Sequence, residues 1–192
     1  EGVEGRLFEC SRIAWVMEAM GFRFTGSGGD ALLQTTKKDI TQNILNKNGI
    51  PTPKSFIFRD SSEVKNISGF PYIVKPIAED GSIGISNKSI VLNTAELKNR
   101  IDYIRKYYFQ NAIIEQYIIG RELNISLWGN PPEVLPICEI DFSSFDNPFE
   151  KIVSYSAKWE TDSFDYISTP PICPANIDSK TTGILADIAI RS

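Results

Sequence analysis

Apolar residues along the chain alternate between two spacings, and the switches between them divide it into elements. From 7 to 20, from 30 to 36, over Lys38–Lys47 and from 94 to 108 they recur at helical intervals, as on one buried face. In the longest of these, Leu97, Ile101 and Ile104 share a face, and Asn93 with Glu96 makes a capping-box start. A last helical pattern runs from 179 to 190. Runs rich in β-branched and aromatic residues predict strands at 23–27, Ser55–Phe58, 71–75, 85–92, 112–118, 123–128 and 134–140. A helical turn is expected at 61–66, and 141–176 is rich in aromatics and turn formers. Asn48-Gly49 is a left-handed cap signal, and Pro51 and Pro53 prevent the preceding helix from continuing. Residues 1–35 therefore read as the end of a βα domain, and a new unit begins near 36.

Within that unit, Phe70-Pro71-Tyr72-Ile73-Val74-Lys75-Pro76 is an apolar strand that ends at a lysine, because Pro76 cannot donate to a ladder. The loop Glu79-Asp80-Gly81-Ser82-Ile83-Gly84 follows at once. A fixed ammonium beside a glycine-bearing loop suits phosphoryl oxygens, since the glycines let backbone N–H groups approach the same anion. A solvated lysine next to a hairpin turn is the plain alternative. Further on, Glu115 and Glu122 lie on two strands joined by a turn at Gly120. With the backbone of Gln116, Tyr117 and Ile118 they offer what a purine nucleoside needs: an acceptor for the exocyclic amine, a backbone donor and a carboxylate for ribose hydroxyls. Two ordinary surface glutamates satisfy the same spacing.

Composition narrows the chemistry. The 192 residues are 42% hydrophobic, enough to bury a core, and the net charge of -4 comes from interspersed charges with no basic run of the kind nucleic acid requires. No stretch has the length of a membrane span and no secretory leader is visible, so a cytoplasmic protein is expected. The chain has no histidine, which removes Ser-His and Cys-His machinery and His-ligated metals. Cys10, Cys138 and Cys173 are too scattered for a disulfide framework or a zinc site and are expected to be reduced, buried thiols. The tyrosines at the end of the 94–108 helix, with Phe109, are expected in the core. Gly26-Ser27-Gly28-Gly29-Asp30-Ala31 matches a dinucleotide-binding turn, but about 20 residues on, where that turn needs an acidic strand end, lie a helix and the Gly49-Ile50-Pro51 turn. No Gly-Lys dipeptide occurs, so a P-loop is excluded.

Taken together and in order, Lys38, Lys75-Pro76, the 79–84 loop, Glu115-Gln116-Tyr117-Ile118, Gly120-Arg121-Glu122 and Cys173-Pro174-Ala175 make the chain resemble the D-alanine–D-alanine ligase-like branch of the ATP-grasp family. The resemblance extends from Thr25-Gly26-Ser27 through Gly49-Ile50-Pro51-Thr52-Pro53 to Ala157-Lys158-Trp159. It implies an α+β, ATP-grasp fold, with two α+β subdomains and the nucleotide between them, preceded by the tail of an α/β domain. On that basis 1–35 end the N-terminal domain, 36–111 form the small subdomain with its phosphate-binding lid, and 112–192 the large subdomain.

The resemblance also assigns roles. Lys38 and Lys75 would grip ATP phosphates, and Glu79, Gly81, Ser82 and Gly84 belong to the lid. Glu115 and Gln116–Ile118 would take the adenine, Glu122 the ribose. Lys158 is a further phosphate-side lysine and the one candidate for a catalytic role. The implied activity is ATP-dependent joining of a carboxylate to an amine through an acyl phosphate; the alternative is a non-catalytic ATP-binding module or scaffold. Amino acids or other small carboxylate and amine substrates are the implied partners, with a homodimer possible and neither nucleic acid nor membrane expected. ATP and Mg²⁺ are the implied cofactors, with metal ligands expected beyond residue 192 and none within, which would make the chain a fragment. Two positions depart from the usual pattern on the substrate side: Gly81 stands where a lid serine is usual, and Trp159 where a tyrosine follows the lysine.

Overall fold

The computed structural model describes residues 9–192, which divide into two units: the described residues up to Ile44 together with Thr52–Tyr117, and Leu45–Pro51 together with Ile118–Ser192. In the first unit, α1 (Cys10–Ala19) packs on α2 (Gly29–Thr36); the start of the first helical pattern lies outside the described residues. Trp15 Nε1 donates to Asp30 at 2.9 Å, and a Cβ on Gly29 would sit 2.2 Å from the Trp15 ring. Close helix packing thus accounts for Gly29, which fills an unspecified position of the dinucleotide-like segment. The strand expected at 23–27 does not form, as no strand among the described residues lies beside it to pair its backbone.

α3 (Lys38–Lys47) matches its sequence expectation and is closed by Ile50 N donating to Leu45 O at 3.0 Å. Then come β1 (Ser55–Phe58), β2 (Tyr72–Pro76), β3 (Ile90–Val91), α4 (Thr94–Tyr108) and β4 (Ala112–Gln116). The four strands form one antiparallel sheet in the order β1-β4-β2-β3. Residues 112–116 are therefore central to the first sheet, where the 36–111/112–192 division had placed them in the second unit. The reason is visible in Ala112-Ile113-Ile114, an apolar run buried on both faces, as suits a central strand packed on either side. Of the strand expected at 85–92 only Ile90–Val91 pairs, because 87–89 coil into a 3-10 turn.

The register sorts the side chains. Tyr72, Val74, Val91, Ala112 and Ile114 pack with Leu97, Ile101 and Ile104 of α4, forming the core. Ser55, Ile73, Lys75, Ile113 and Glu115 alternate with them and take the other face. Asn93 caps α4, its Oδ1 accepting from Glu96 N at 3.0 Å. Phe109, expected in the core, is 89% exposed: it ends α4 in a left-handed conformation (φ 55°) that turns its ring outward.

The second unit holds the sheet β5 (Glu122–Asn124), β8 (Cys138–Ile140), β9 (Pro171–Ile172), in that order, and the hairpin β6 (Leu127–Trp128) with β7 (Glu133–Val134). The turn-rich stretch folds into α5 (Tyr155–Trp159) and α6 (Phe164–Ile167), capped by Ser154 and Ser163, and α7 (Ser179–Arg191) is capped by Asp178. Phe142 meets Phe145, and Phe145 meets Phe164, edge to face, and Ile152 and Ala157 of the same unit are buried. Cys138 and Cys173 are disulfide-bonded across β8 and the end of β9, correcting the expectation of reduced thiols. The 35-residue separation hid the pairing; antiparallel alignment of the two strands brings the Cα atoms to 4.4 Å. No described helix is long and apolar enough to cross a membrane.

Candidate functional site

On the sheet face opposite the core, Lys75 projects from β2 and Glu115 from β4. Lys75 lies opposite Ile113 and Glu115 opposite Ile73, so the pair is diagonal, within reach for long side chains. Lys75 Nζ is 2.6 Å from Glu115 Oε2. The other carboxylate oxygen accepts from Gln42 Nε2 at 2.5 Å, and Gln42 Oε1 accepts from Ser55 Oγ at 2.5 Å. Glu115 and Gln42 are buried, whereas Lys75 keeps about a quarter of its side chain, 27%, in solvent. A buried carboxylate requires this many partners, since leaving one of its oxygens bare in a low-dielectric site costs about 1–3 kcal/mol or more.

Lys38 opens α3, where its backbone N–H donates to Ile77 O just past β2 at 3.1 Å. That bond ties the start of the helix to the start of the loop. The Lys38 ammonium donates to the backbone carbonyl of Glu79. Burial pushes its pKa below the ordinary lysine value, with the nearby Lys75 cation acting in the same direction and Asp80, Glu115 and Glu79 opposing. Two cations are thus held near one another at the mouth of the 79–84 loop.

The loop itself is fastened at both ends. Gln110 accepts from Ala78 N at 2.9 Å and donates through Nε2 to the Glu79 carboxylate. At the far end buried Arg100 donates to Gly84 O and, at 2.8 Å, to Ser89 Oγ, with its guanidinium over the Tyr103 ring. Gly84 has φ +75°, and a Cβ there would meet Pro76 Cγ at 2.8 Å and Tyr108 Cζ at 3.1 Å. Between the fastenings the loop makes two turns, Ile83 N to Asp80 O and Ile85 N to Ser82 O. Gly81 and Ser82, both at positive φ, lie in that middle part.

The structure thus brings Lys38, Lys75, Glu79 and Glu115 together. Gln116 ends β4 and is exposed, but its N–H donates to Lys54 O at 2.9 Å, and Tyr117 N donates to Pro71 O at 3.1 Å. Those two N–H groups, expected to face a purine, are engaged within the protein; exposed Ile118 follows them. Glu122, opposite Ile140 in β5, and Lys158 in α5 are exposed residues of the second unit. Gln42, Ser55, Gln110 and Arg100 carried no sequence signal of a role. For Gln42 the one available clue was its place a helical turn after Lys38, on the same face of α3.

Among the described residues no group of three or more His, Cys, Asp or Glu is arranged to hold a metal ion, so no step is routed through one. The cations and the loop do fit a polyphosphate: two ammonium groups lie near one another beside it, both partly buried.

The family profile described as D-ala D-ala ligase C-terminus matches residues 44–192. An uncharacterised protein of Sinorhizobium fredii is 32% identical over all of this chain and 54% of its own length. A D-alanine–D-alanine ligase of Alcanivorax borkumensis is 30% identical over 99% of this chain and 55% of its own. Among solved structures, a Bacillus anthracis D-alanine–D-alanine ligase complexed with ATP superposes with a TM-score of 0.69 at 19% identity, covering 99% of this chain and 55% of that one. The chain spans about half the length of these curated relatives.

Proposed function

The chain belongs to the D-ala D-ala ligase C-terminal family and has the α+β ATP-grasp fold, and from that premise we propose that it carries the nucleotide side of an ATP-dependent carboxylate–amine ligase. The observation that supports the reading is the convergence of Lys38 and Lys75 beside a loop fastened at both ends. Clustered ammonium groups repel one another, and a polyanion relieves that cost.

In this reading Lys38 and Lys75 hold phosphate oxygens and the 79–84 loop, with Glu79, Gly81, Ser82 and Gly84, covers the triphosphate. Glu115 and the strand end at Gln116–Ile118 take the adenine through groups other than the Gln116 and Tyr117 N–H, which are engaged within the protein, Glu122 takes the ribose, and Lys158 serves as a further phosphate-side lysine. A carboxylate oxygen of the first substrate attacks the γ-phosphorus and ADP leaves. The amine of the second then attacks the acyl carbon and inorganic phosphate leaves. The lysines neutralise charge that builds on the transferred group, and the closed loop keeps water from the acyl phosphate. Mg²⁺ would accompany ATP, and no described residue is assigned to it. Gly81 and Trp159 favour a product other than D-alanyl-D-alanine. Small amino acids are the substrate class, and a homodimer and a cytoplasmic location are compatible with the reading.

The test is ADP release with Mg²⁺ and a panel of amino acids that includes D-alanine, beside direct ATP binding. ATP binding with amino-acid-dependent ADP release is expected. Absence of ATP binding would overturn the nucleotide assignment, and binding without ADP release in the full-length protein would replace the ligase with a non-catalytic module.

A further inference from the structure

Every member of the Ser55–Gln42–Glu115–Lys75 chain is fixed in direction by its chemistry. An ionised carboxylate can only accept, so the Gln42 amide must turn its nitrogen to Glu115 and its oxygen to the Ser55 hydroxyl. Ser55 then donates to Gln42, Gln42 to Glu115, and Lys75 to Glu115 from the other side. Each bond polarises the next. Three elements contribute, α3 through Gln42, β1 through Ser55 and β4 through Glu115, and the register places Ser55 directly opposite Glu115. Gln42 is buried at 9% exposure, although nothing about a helical amide requires burial.

We infer that Gln42, held by Ser55, is a positioning residue: it locks the Glu115 carboxylate in one rotamer, and that carboxylate aims the Lys75 ammonium. Without Gln42, one Glu115 oxygen loses its donor, and the carboxylate is free to rotate or to chelate Lys75 with both oxygens. Either outcome draws the ammonium away from the direction in which it meets a phosphate. The inference deepens the ATP reading and rests on it. Neither Gln42 nor Ser55 is assigned a nucleotide contact, and the double variant below separates an effect that passes through Lys75 from one that passes through Glu115 to the adenine.

The experiment is ATP affinity, by calorimetry in the presence of Mg²⁺, for the purified protein and for Lys75→Ala, Gln42→Met, Ser55→Ala, Ser55→Thr and the Gln42→Met/Lys75→Ala double variant. Methionine matches glutamine in length and volume but offers neither a comparable donor nor acceptor. Gln42→Met is expected to weaken ATP roughly five- to tenfold and Ser55→Ala about twofold, within the range for losing one hydrogen bond to a charged network. Ser55→Thr keeps the hydroxyl and is expected to hold the original affinity. In the Lys75→Ala background Gln42→Met is expected to cost nothing more, a non-additivity that a merely structural role would not give. Circular dichroism and urea unfolding confirm that each variant folds, and Ser55→Ala serves should Gln42→Met fail. Equal losses from Gln42→Met with and without Lys75, or Gln42→Met and Ser55→Ala at full affinity while Lys75→Ala is weakened, would overturn the inference. Failure of the unaltered protein to bind ATP would instead overturn the nucleotide reading beneath it.

Discussion

Lys75 and Glu115 form a diagonal ion pair across β2 and β4, Nζ to Oε2 2.6 Å, on the sheet face that α4 does not cover. The same two strands place Val74 and Ile114 in the core on the reverse face. Parity along each strand thus decides which face a side chain takes, the Lys75–Glu115 face also holding Ile73 and buried Ile113, and a shift of one residue in register would exchange the two sets.

Removing the carboxylate with Glu115→Ala leaves the Lys75 ammonium and the Gln42 amide facing a cavity. Breaking a buried pair costs about 3–5 kcal/mol, and the water that still reaches Lys75 reduces this to about 2–3 kcal/mol. Urea unfolding at unchanged slope is the measurement. A loss below the error of the extrapolation would show that the pair is not maintained in solution.

The fastening of the loop predicts a graded response. Gly84→Ala must place a methyl against Pro76 and Tyr108 at positive φ, at an expected cost of roughly 1–3 kcal/mol from backbone and overpacking together. Ile83→Ala, in the exposed middle of the loop, is expected to be near neutral. By hydrogen exchange, the 80–83 amides should exchange far faster than those of β2 and slow on addition of ATP. Equal protection of the two segments without nucleotide would refute the picture of a loop whose middle is held less firmly than the neighbouring strand.

Burial sets the folded pKa of Lys38 below the ordinary 10.5. The folded protein therefore loses this proton before the unfolded chain does. The desolvation penalty is in force below the folded pKa and is relieved as pH rises through it towards 10.5, so this group adds stability over that window. ATP affinity moves the opposite way, because the phosphate contact needs the cation. Affinity measured from neutral to alkaline pH should fall earlier for the unaltered protein than for Lys38→Arg, whose guanidinium stays charged. Superimposable profiles would remove Lys38 from the phosphate site.

Much of this was legible beforehand, and the parts that were not share a cause. α3, α4 and β1 follow from local periodicity and capping, which act within a few residues, whereas β2 runs one residue past the expected stop at Lys75, through Pro76, which lies opposite Ala112. Lys75 and Glu115 were singled out for a nucleotide, yet their pairing with each other depends on the β2–β4 register, and Gln42 reaches Glu115 from 73 residues away in sequence. Long-range partners leave no local trace. The placement of β4 in the first sheet and the Cys138–Cys173 bond were misread for the same reason. Phe109 was misread for a different one: a left-handed residue after a helix reverses the side chain's direction, and a large aromatic seldom occupies that conformation.

With Cys138 and Cys173 joined, alkylation of the unfolded protein under non-reducing conditions should label one thiol, that of Cys10, and after reduction three. The bond closes a 35-residue separation, for which the chain-entropy account gives about 3–4 kcal/mol towards the second unit. Cys138→Ser should therefore lower the unfolding midpoint measurably, and the reduced native protein should match it. Three labelled thiols without reductant would show the cysteines to be free.

The last prediction separates the nucleotide side from the substrate side. Lys75 stands within the cluster at the 79–84 loop, whereas Trp159 ends α5 with its side chain largely exposed. Lys75→Ala removes a charge-assisted contact that is typically worth ~1.5–3 kcal/mol, so ATP should bind roughly ten- to a hundredfold more weakly. Trp159→Tyr should leave ATP affinity within about twofold, since no phosphate contact is lost, and should alter which amino acids stimulate ADP release. Gly81→Ser, which restores the serine usual in the related ligases, is expected to shift that preference towards D-alanine when combined with Trp159→Tyr. The measurement is ATP affinity for the three variants beside ADP release across the amino-acid panel. Efficient D-alanyl-D-alanine synthesis by the unaltered protein would show that neither Gly81 nor Trp159 sets the substrate. A weakening of ATP by Trp159→Tyr comparable to that of Lys75→Ala would move Trp159 to the nucleotide.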